Sequence, residues 1–301
     1  MIRKTDKGKI MRVAEQCVDC LYRKQVRLAQ VIPQEQDRAS YLKEIRGVLE
    51  RRRPQDSAPY LVYLFGEIQN KYGIPEEVFQ KEKYNAIVLS MEQQIEAQIT
   101  ASADPLLAAL RFARSGNYID FGAMDEVRPD VLLKLLQEGE DPDAETYAAF
   151  CKACRSGSTF LLLCDNCGEI VLDKLFIRQL KKCYPQLTVY AMVRGAPTLN
   201  DATREDAEAC GMGQEAILIS SGSAVAGTVP EQLSAEAYAV LEHADVILSK
   251  GQGNYESLSG WQGNVFYSFL CKCDLFTQRF QVPRFTGMFF QDDGRNRRRD
   301  H

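Results

Sequence analysis

Hydrophobic and polar residues change their spacing about halfway along the chain. Between residues 12 and 99, apolar positions recur every three or four residues, as at Val13, Cys17 and Leu21. This spacing predicts amphipathic helices. Beyond residue 142, short apolar runs alternate with helical stretches. That alternation predicts an α/β fold with a mostly parallel sheet and right-handed crossovers.

The same pattern predicts the bounds of the elements. Strands are expected near residues 159–164, 187–193, 216–219 and 245–249, with a further strand from Asn264 to Phe269. Helices are expected near residues 169–183, 203–210 and 231–242. We predict three parts in the chain: a helical amino-terminal region over 1–115, a core over 116–292, and a disordered basic tail over 293–301.

Composition adds few constraints to this pattern. The 301 residues are 45% hydrophobic, which is enough for a sizeable core, and the net charge of -4 gives no general electrostatic reason to bind nucleic acid. The start of the chain has no signal-peptide pattern and no apolar run is long enough to span a bilayer. We therefore expect a cytoplasmic protein that binds no membrane, whose ten cysteines are reduced thiols or metal ligands.

Three polar clusters follow three of the predicted strands. They are Asp165-Asn166, Asn200-Asp201 and the run Lys250-Gly251-Gln252-Gly253-Asn254. In open α/β sheets, ligands bind at the carboxyl ends of the strands, so three polar strand ends indicate one shared site.

The residue types in these clusters indicate a metal and a phosphate. Two carboxylates and an amide oxygen, from Asp165, Asp201 and Asn166, suit a hard divalent cation. A lysine beside glycines, as at Lys250, suits a phosphate. The alternative is that each cluster is only a polar turn, because Asp and Asn cap helices and Gly forms turns.

Taken in order, several motifs resemble the damage-control metal phosphatase family, also catalogued as domain of unknown function eighty-nine. The similar segments cover nearly the whole chain and are Cys17-Val18-Asp19-Cys20, Ser57-Ala58-Pro59, Lys83-Tyr84-Asn85, Gly116-Asn117-Tyr118-Ile119-Asp120-Phe121-Gly122, Asp165-Asn166, Arg194-Gly195-Ala196-Pro197-Thr198-Leu199-Asn200-Asp201 and Lys250-Gly251-Gln252-Gly253-Asn254-Tyr255-Glu256. Each motif alone is weak, but their order is specific.

The resemblance implies a helical region packed on a three-layer α/β/α core, and hydrolysis of small phosphate monoesters such as sugar phosphates or damaged phosphometabolites. It implies a divalent ion, expected to be manganese, nickel, cobalt or magnesium, held by Asp165, Asn166 and Asp201. Asp165, Asp201 and Lys250 are then the predicted catalytic residues. Lys250 would stabilise charge on the phosphoryl group. No oligomeric state is predicted.

Further residues are expected to line the phosphate site. Gly251 and Gly253 would let backbone amides approach the phosphate, with Asn254 as an additional donor. The resemblance places the loop of Asn117 and Asp120 beside the cleft, where they would contact substrate or metal-bound water. Asp120 could instead cap a helix or pair with Arg194. Arg194 would either bind phosphate or anchor the loop of Asp201 through a carboxylate pair.

Two cysteine pairs lie at opposite ends of the chain. Cys17 and Cys20 form a C-x-x-C motif, and Cys271 and Cys273 are two residues apart. If the pairs met, they would form a tetrahedral zinc site. The alternatives are a redox pair or simply buried thiols.

Two other functions compete with a phosphatase. A binding module could sense a phosphometabolite or metal with the same residues and no hydrolysis. A carboxyl methyltransferase is disfavoured, because no convincing glycine-rich nucleoside site follows an early strand. The expected partner in the leading interpretation is a small phosphorylated metabolite.

Overall fold

The structure is a computed structural model that describes residues 11–75, 81–120, 133–134 and 136–292. The side chains of Ile119, Asp120 and Asp292 lie outside the described part, as does the predicted basic tail. The described residues before the sheet form α-helices, which are α1 (Glu15–Leu28), α2 (Glu35–Arg52), α3 (Ala58–Lys71), α4 (Lys81–Ala101), α5 (Pro105–Ser115) and α6 (Ala144–Ser156).

The second half alternates strands and helices, as the sequence pattern predicts. Its strands are β1 (Thr159–Leu163), β2 (Thr188–Val193), β3 (Ile217–Ser220), β4 (Val246–Lys250), β5 (Val265–Leu270) and β6 (Gly287–Asp292). Its helices are α7 (Glu169–Cys183), α8 (Arg204–Ala209), α9 (Ala235–His243), α10 (Gly251–Leu258) and α11 (Asp274–Phe280). The strands form a six-stranded sheet in the order β3-β2-β1-β4-β5-β6.

Helices cover both faces of this sheet. Alternate residues of β1 point to opposite sides: Phe160 and Leu162 pack in one hydrophobic cluster, and Leu161 and Leu163 pack in another. The first cluster includes residues of α4, α5, α6 and α7, and the second includes residues of α9, α10 and α11. The predicted three-layer α/β/α core is therefore confirmed. A third cluster joins α1, α2 and α3, while the predicted domain boundary near residue 115 remains a prediction.

Strand β6 was not predicted. It pairs antiparallel with β5 along six residues, from Val265 opposite Asp292 to Leu270 opposite Gly287. All six residues of β5 are buried. An uncovered β5 would expose apolar side chains and unpaired backbone groups at the edge of the sheet, and β6 prevents this.

The strand order places a topological switch point between β1 and β4. From β1 the chain continues to β2 on one side, while β4 pairs with the other side of β1. A crevice forms at the carboxyl ends of strands where the order reverses in this way. Asp165 follows β1 and Lys250 ends β4, so the predicted site residues flank this crevice.

A helix can cross a membrane only if it is long enough and apolar enough. In the part of the chain that the structure describes, no helix combines the length and apolar character needed to cross a bilayer.

Phe150 on α6 should be one of the largest single contributors to stability. Its ring contacts Phe160, Phe176, Phe266 and Phe289 at centroid distances of 6.2, 6.3, 5.2 and 5.8 Å. Phe150→Ala should lower the free energy of unfolding by about 3–5 kcal/mol through lost burial and a cavity. Urea denaturation measures this change.

The matched control for Phe150→Ala is Val31→Ala, because Val31 is 54% exposed. We expect Val31→Ala to change the free energy of unfolding by no more than about 0.5 kcal/mol. Similar effects of the two variants would contradict the packing role of Phe150.

Candidate active site

Backbone hydrogen bonds join the loops that follow β1 and β2. The amide of Ala202 donates to the carbonyl of Asp165 at 2.8 Å, and Asn166 and Asp201 form an isolated antiparallel bridge. The three predicted metal ligands therefore come from two loops that are paired to each other. The sequence alone does not show that these two loops pair, because their pairing depends on β1 and β2 being neighbours in the sheet.

Asp165 is held on one side by two amide groups. Its Oδ2 accepts hydrogen bonds from Nδ2 of Asn117 at 2.9 Å and from Nδ2 of Asn166 at 2.8 Å. Asn117 is fully buried and contacts Asp165, while its predicted contact with substrate or metal-bound water stays a prediction. Asp120 was predicted with it, but its side chain lies outside the described part of the structure.

Arg194 anchors the loop of Asp201. Its Nε donates to Oδ2 of Asp201 at 2.5 Å, and its terminal nitrogens donate to Oδ1 of Asn254 at 3.2 and 3.3 Å and to the carbonyl of Gly227 at 3.0 Å. Arg194 is buried and its Nη2 also lies 3.8 Å from Oδ1 of Asp165. These contacts are those expected of the anchoring alternative, and they engage the guanidinium within the protein.

The structure contradicts the prediction that Lys250 binds phosphate. Its Nζ donates to Glu169 Oε1 and Asp173 Oδ1, both at 2.6 Å, and to the carbonyl of Ala113 at 3.0 Å. All three protons of the ammonium are thus used within the protein, and the side chain is fully buried. Burial opposes its charge, but Asp173 and Glu169 outweigh that effect and hold the pKa of Lys250 above its usual value.

Asn254 was also predicted as a phosphate donor, and the structure contradicts this. Its Nδ2 donates to the carbonyls of Cys164 at 3.1 Å and Lys250 at 2.7 Å. Its Oδ1 accepts from the hydroxyl of Thr228 at 2.8 Å as well as from Arg194. The buried amide therefore fastens the start of α10 to the end of β1.

The two glycines of this motif differ in their surroundings. Gly251 has φ +76°, and a Cβ there would collide with the carboxylate of Asp165, so the glycine allows that carboxylate its close approach. A Cβ on Gly253 would collide with the carbonyl of Ala226, which is protein backbone. Gly251 therefore lies against Asp165, and its predicted contact with phosphate stays a prediction, whereas the need for glycine at 253 is explained by packing.

Helix α4 holds both ligand loops from outside the sheet. Nζ of Lys81 donates to the carbonyl of Asp201 at 2.5 Å and lies 3.4 Å from Oδ2 of Asp206. One turn later, Oδ1 of Asn85 accepts the amide of Gly168 at 2.5 Å. The helical region is therefore part of the construction of the site, and Lys81 was not predicted.

Sequence reasoning also missed Glu169 and Asp173. Oε2 of Glu169 accepts from Asn117 at 2.9 Å and from Asn166 at 3.2 Å, while its Oε1 accepts from Lys250. A signal was present, because Glu169 and Asp173 flank the apolar run Ile170-Val171-Leu172 in a helix that follows a buried strand. Acidic residues within such a helix must be buried and paired.

A third missed residue is Lys272, which directly follows the buried carboxyl end of β5. It is half-buried, and its charge partly offsets the rise in the pKa of Asp165 that burial and the neighbouring carboxylates cause. A lysine between two cysteines has no recognisable phosphate-binding pattern, so only the juxtaposition of strand ends reveals it.

The contacts above define a site network in which carboxyl groups outnumber cationic side chains. Its four carboxylates and two cations are Asp165, Glu169, Asp173, Asp201, Arg194 and Lys250. Burial, followed by the charges of Asp201 and Glu169, raises the pKa of Asp165 well above its usual value. An oxygen-rich site with more carboxyl groups than cationic side chains fits a hard divalent cation, which would offset the repulsion.

The predicted zinc site is not supported by the geometry. Burial, with the charges of Glu256, Cys273 and Cys20, raises the pKa of Cys17 to about 11. The pKa of Cys271 is likewise raised by burial to about 11. Across the described residues, no group of three or more His, Cys, Asp or Glu side chains is arranged to hold a metal. The charges of Cys20 and Cys273 both act on Cys17, so members of the two pairs lie near one another, but they do not form a group arranged to hold a metal.

The carboxyl of Asp173 should make stability depend on pH. Burial, partly offset by Lys250, raises its pKa to about 7. Because the pKa is higher in the folded state, folding takes up a proton and stability falls as pH rises towards 7. Asp173→Asn removes this titration. Between pH 5 and 8 the stability of the variant relative to wild type should increase by up to about 3 kcal/mol.

Denaturant unfolding at pH 5, 6, 7 and 8 measures the effect of Asp173→Asn. Asp19→Asn is the control, since Asp19 is exposed. A difference between Asp173→Asn and wild type that stays constant with pH, or that declines as pH rises, would contradict the expectation.

Several known proteins resemble this chain in sequence or in fold. The chain is 27% identical over 293 residues to an uncharacterised protein of Methanocaldococcus jannaschii, covering 88% of this chain and 91% of that protein. It is 33% identical over 195 residues to a damage-control phosphatase of Archaeoglobus fulgidus, covering 62% and 64%. The crystal structure of a DUF89 family protein from Pyrococcus horikoshii has the same fold, with a TM-score of 0.74 and 22% identity over 94% of this chain and 99% of that one.

A family model describes the chain over most of its length. The model for the damage-control phosphatase ARMT1-like domain matches residues 13–286, from the start of α1 to the last loop before β6. That range includes both ligand loops and the buried network beneath them. The chain therefore belongs to the damage-control phosphatase ARMT1-like domain family.

Proposed function

We propose that this protein is a metal-dependent phosphatase that hydrolyses small phosphate monoesters, such as sugar phosphates or damaged phosphometabolites. The family and the name of the Archaeoglobus relative support the reaction class. That relative aligns over just under two thirds of its length, so its activity is carried over here as part of the proposal.

One observation carries the proposal: Asp165, Asn166 and Asp201 meet in the paired loops that follow β1 and β2, beside the switch point between β1 and β4. The pairing of their loops brings two carboxylates and an amide together, and carboxyl groups outnumber cationic side chains in the site network. We propose these three residues as ligands of one divalent ion, which would be manganese, nickel, cobalt or magnesium. When bound, such an ion would neutralise phosphoryl charge and activate water for attack.

The residues of the chain have distinct tasks in this reaction. Asn117 and Asn166 orient the carboxylate of Asp165, and Arg194 orients that of Asp201. These fixed positions would hold the phosphoryl group and the attacking water in line without reorganisation during reaction. Because Gly251 has no side chain, nothing at this position collides with the carboxylate of Asp165.

Lys272 replaces Lys250 as the proposed cation for the phosphoryl group. It lies at the carboxyl end of β5, next to the switch point, and its charge acts on Asp165. A half-buried ammonium in this position can reach an anionic substrate, whereas Lys250 is enclosed by its own carboxylates.

Phosphate release after metal removal tests the function. Protein stripped with a chelator and given one metal at a time should hydrolyse an aryl phosphate or members of a sugar-phosphate panel. Asp165→Ala should reduce turnover to background with the circular dichroism spectrum unchanged, because a proposed metal ligand is lost. Full activity of Asp165→Ala with metal bound would overturn the assignment.

The matched control for Asp165→Ala is Asp245→Asn at the opposite end of the sheet. Asp245 accepts hydrogen bonds from the amides of Ser158 and Thr159 at 2.8 and 2.9 Å and is remote from the ligand loops. Turnover should be retained in this variant. Tight binding of sugar phosphates by wild type without phosphate release would favour the alternative of a metabolite sensor.

Lys272→Met should lower kcat/KM for the substrate but leave the metal concentration that the enzyme requires almost unchanged. Loss of a charged hydrogen bond to the phosphoryl group should reduce kcat/KM about 10- to 100-fold. The metal concentration for half-maximal activity should stay within about threefold, since Lys272 is not a proposed ligand. Steady-state kinetics at several metal concentrations measure both quantities, and an unchanged kcat/KM would exclude the proposed contact.

A further inference from the structure

Two buried asparagine amides are shared between the carboxylates of Asp165 and Glu169. Nδ2 of Asn117 donates to Oδ2 of Asp165 and to Oε2 of Glu169, both at 2.9 Å. Nδ2 of Asn166 donates to the same two oxygens, at 2.8 and 3.2 Å. Both N–H groups of each amide are therefore directed at these carboxylates.

This arrangement determines which end of each amide faces inward. A carboxylate accepts hydrogen bonds and donates none, while an amide has donors at one end and an acceptor at the other. Reversing Asn166 would put its carbonyl oxygen against two carboxylate oxygens in a buried site, where unmade hydrogen bonds are costly. Asn117 is further restrained, because its Oδ1 accepts the amide of Leu270 at 3.4 Å.

We propose that Glu169 is a positioning residue that, through these amides, presents the carbonyl oxygen of Asn166 and Oδ1 of Asp165 to the divalent ion. Oδ2 of Asp165 already accepts two hydrogen bonds, which leaves Oδ1 as its ligand oxygen. Oδ1 has Arg194 Nη2 beside it only at 3.8 Å. This role rests on the proposed function, because it concerns the same ion.

The two oxygens of Glu169 accept hydrogen bonds from different donors, because Lys250 occupies one of them. Oε1 accepts from Lys250 at 2.6 Å, and Oε2 accepts from both asparagines. Lys250 is in turn held by Asp173 at 2.6 Å. A glutamine side chain in place of Glu169 has only one oxygen, so it can accept hydrogen bonds either from Lys250 or from the two asparagines. Its NH2 group would then face the donors of the other partner.

Glu169→Gln is therefore a test that preserves shape and changes hydrogen bonding. If the new oxygen faces Lys250, the new NH2 faces the amides, and Asn166 must reverse and direct its NH2 at the ion. We expect the Kd for manganese, measured by calorimetry on stripped protein without substrate, to rise about 10- to 100-fold. The control is Asp245→Asn, the same kind of carboxyl-to-amide change at the opposite end of the sheet, and its Kd should stay within about threefold.

A second measurement needs no metal. In wild type and in Asp245→Asn, the side-chain NH2 protons of Asn117 and Asn166 should exchange slowly with solvent, since they are buried and bonded to carboxylates. In Glu169→Gln they should exchange at least about tenfold faster or shift in the NMR spectrum, because their acceptors are rearranged. Unchanged exchange in Glu169→Gln, or equal changes in both variants, would overturn the positioning role.

The outcomes separate this role from the proposed function. Wild type that binds manganese and loses affinity in Glu169→Gln, but releases no phosphate from any substrate, supports the role and contradicts the phosphatase. Phosphate release by wild type, with equal manganese affinity in Glu169→Gln, contradicts the role and leaves the phosphatase standing. Absence of manganese binding in wild type overturns both the metal site and this role.

Discussion

The buried ammonium of Lys250 is the interaction on which the rest of the site depends. It is fully enclosed and is held by the carboxylates of Glu169 and Asp173 on α7. Without it, two carboxylates would be buried without a counter-ion, and breaking a buried pair in this way costs about 3–5 kcal/mol. Because Lys250 takes one oxygen of Glu169, the other is left to order Asn117 and Asn166.

Around Lys250 and its two carboxylates, the site is built from elements that are distant in sequence. The loops after β1 and β2 pair through Asn166 and Asp201, α4 fastens them through Lys81 and Asn85, and Arg194 restrains Asp201. As a result, the carboxylates of Asp165 and Asp201 and the amide of Asn166 are held together by hydrogen bonds from several elements. A site of this kind is organised before a cation or phosphate arrives, which is the arrangement that catalysis by electrostatic stabilisation requires.

The errors of the sequence-based predictions have a common cause. Lys250 ends a strand beside glycines, which is typical of phosphate binding, but its side chain is drawn inward by two carboxylates on a helix about 80 residues earlier. Asn254 likewise has every hydrogen-bonding group engaged by backbone and neighbouring side chains. Motif spacing places a residue at a strand end, but side-chain direction depends on partners from other elements.

By itself, the sequence determined the α/β class and the positions of β1 to β5 within about one residue. It also showed that Asp165, Asn166 and Asp201 lie in loops that follow strands. These features follow from the local spacing of hydrophobic residues and from the polar residues between the hydrophobic runs. Only the tertiary structure decided the covering strand β6, the inward direction of Lys250 and the roles of α4 and α7. These features depend on long-range pairing of buried charges and strand edges, and no local pattern encodes which distant partner satisfies them.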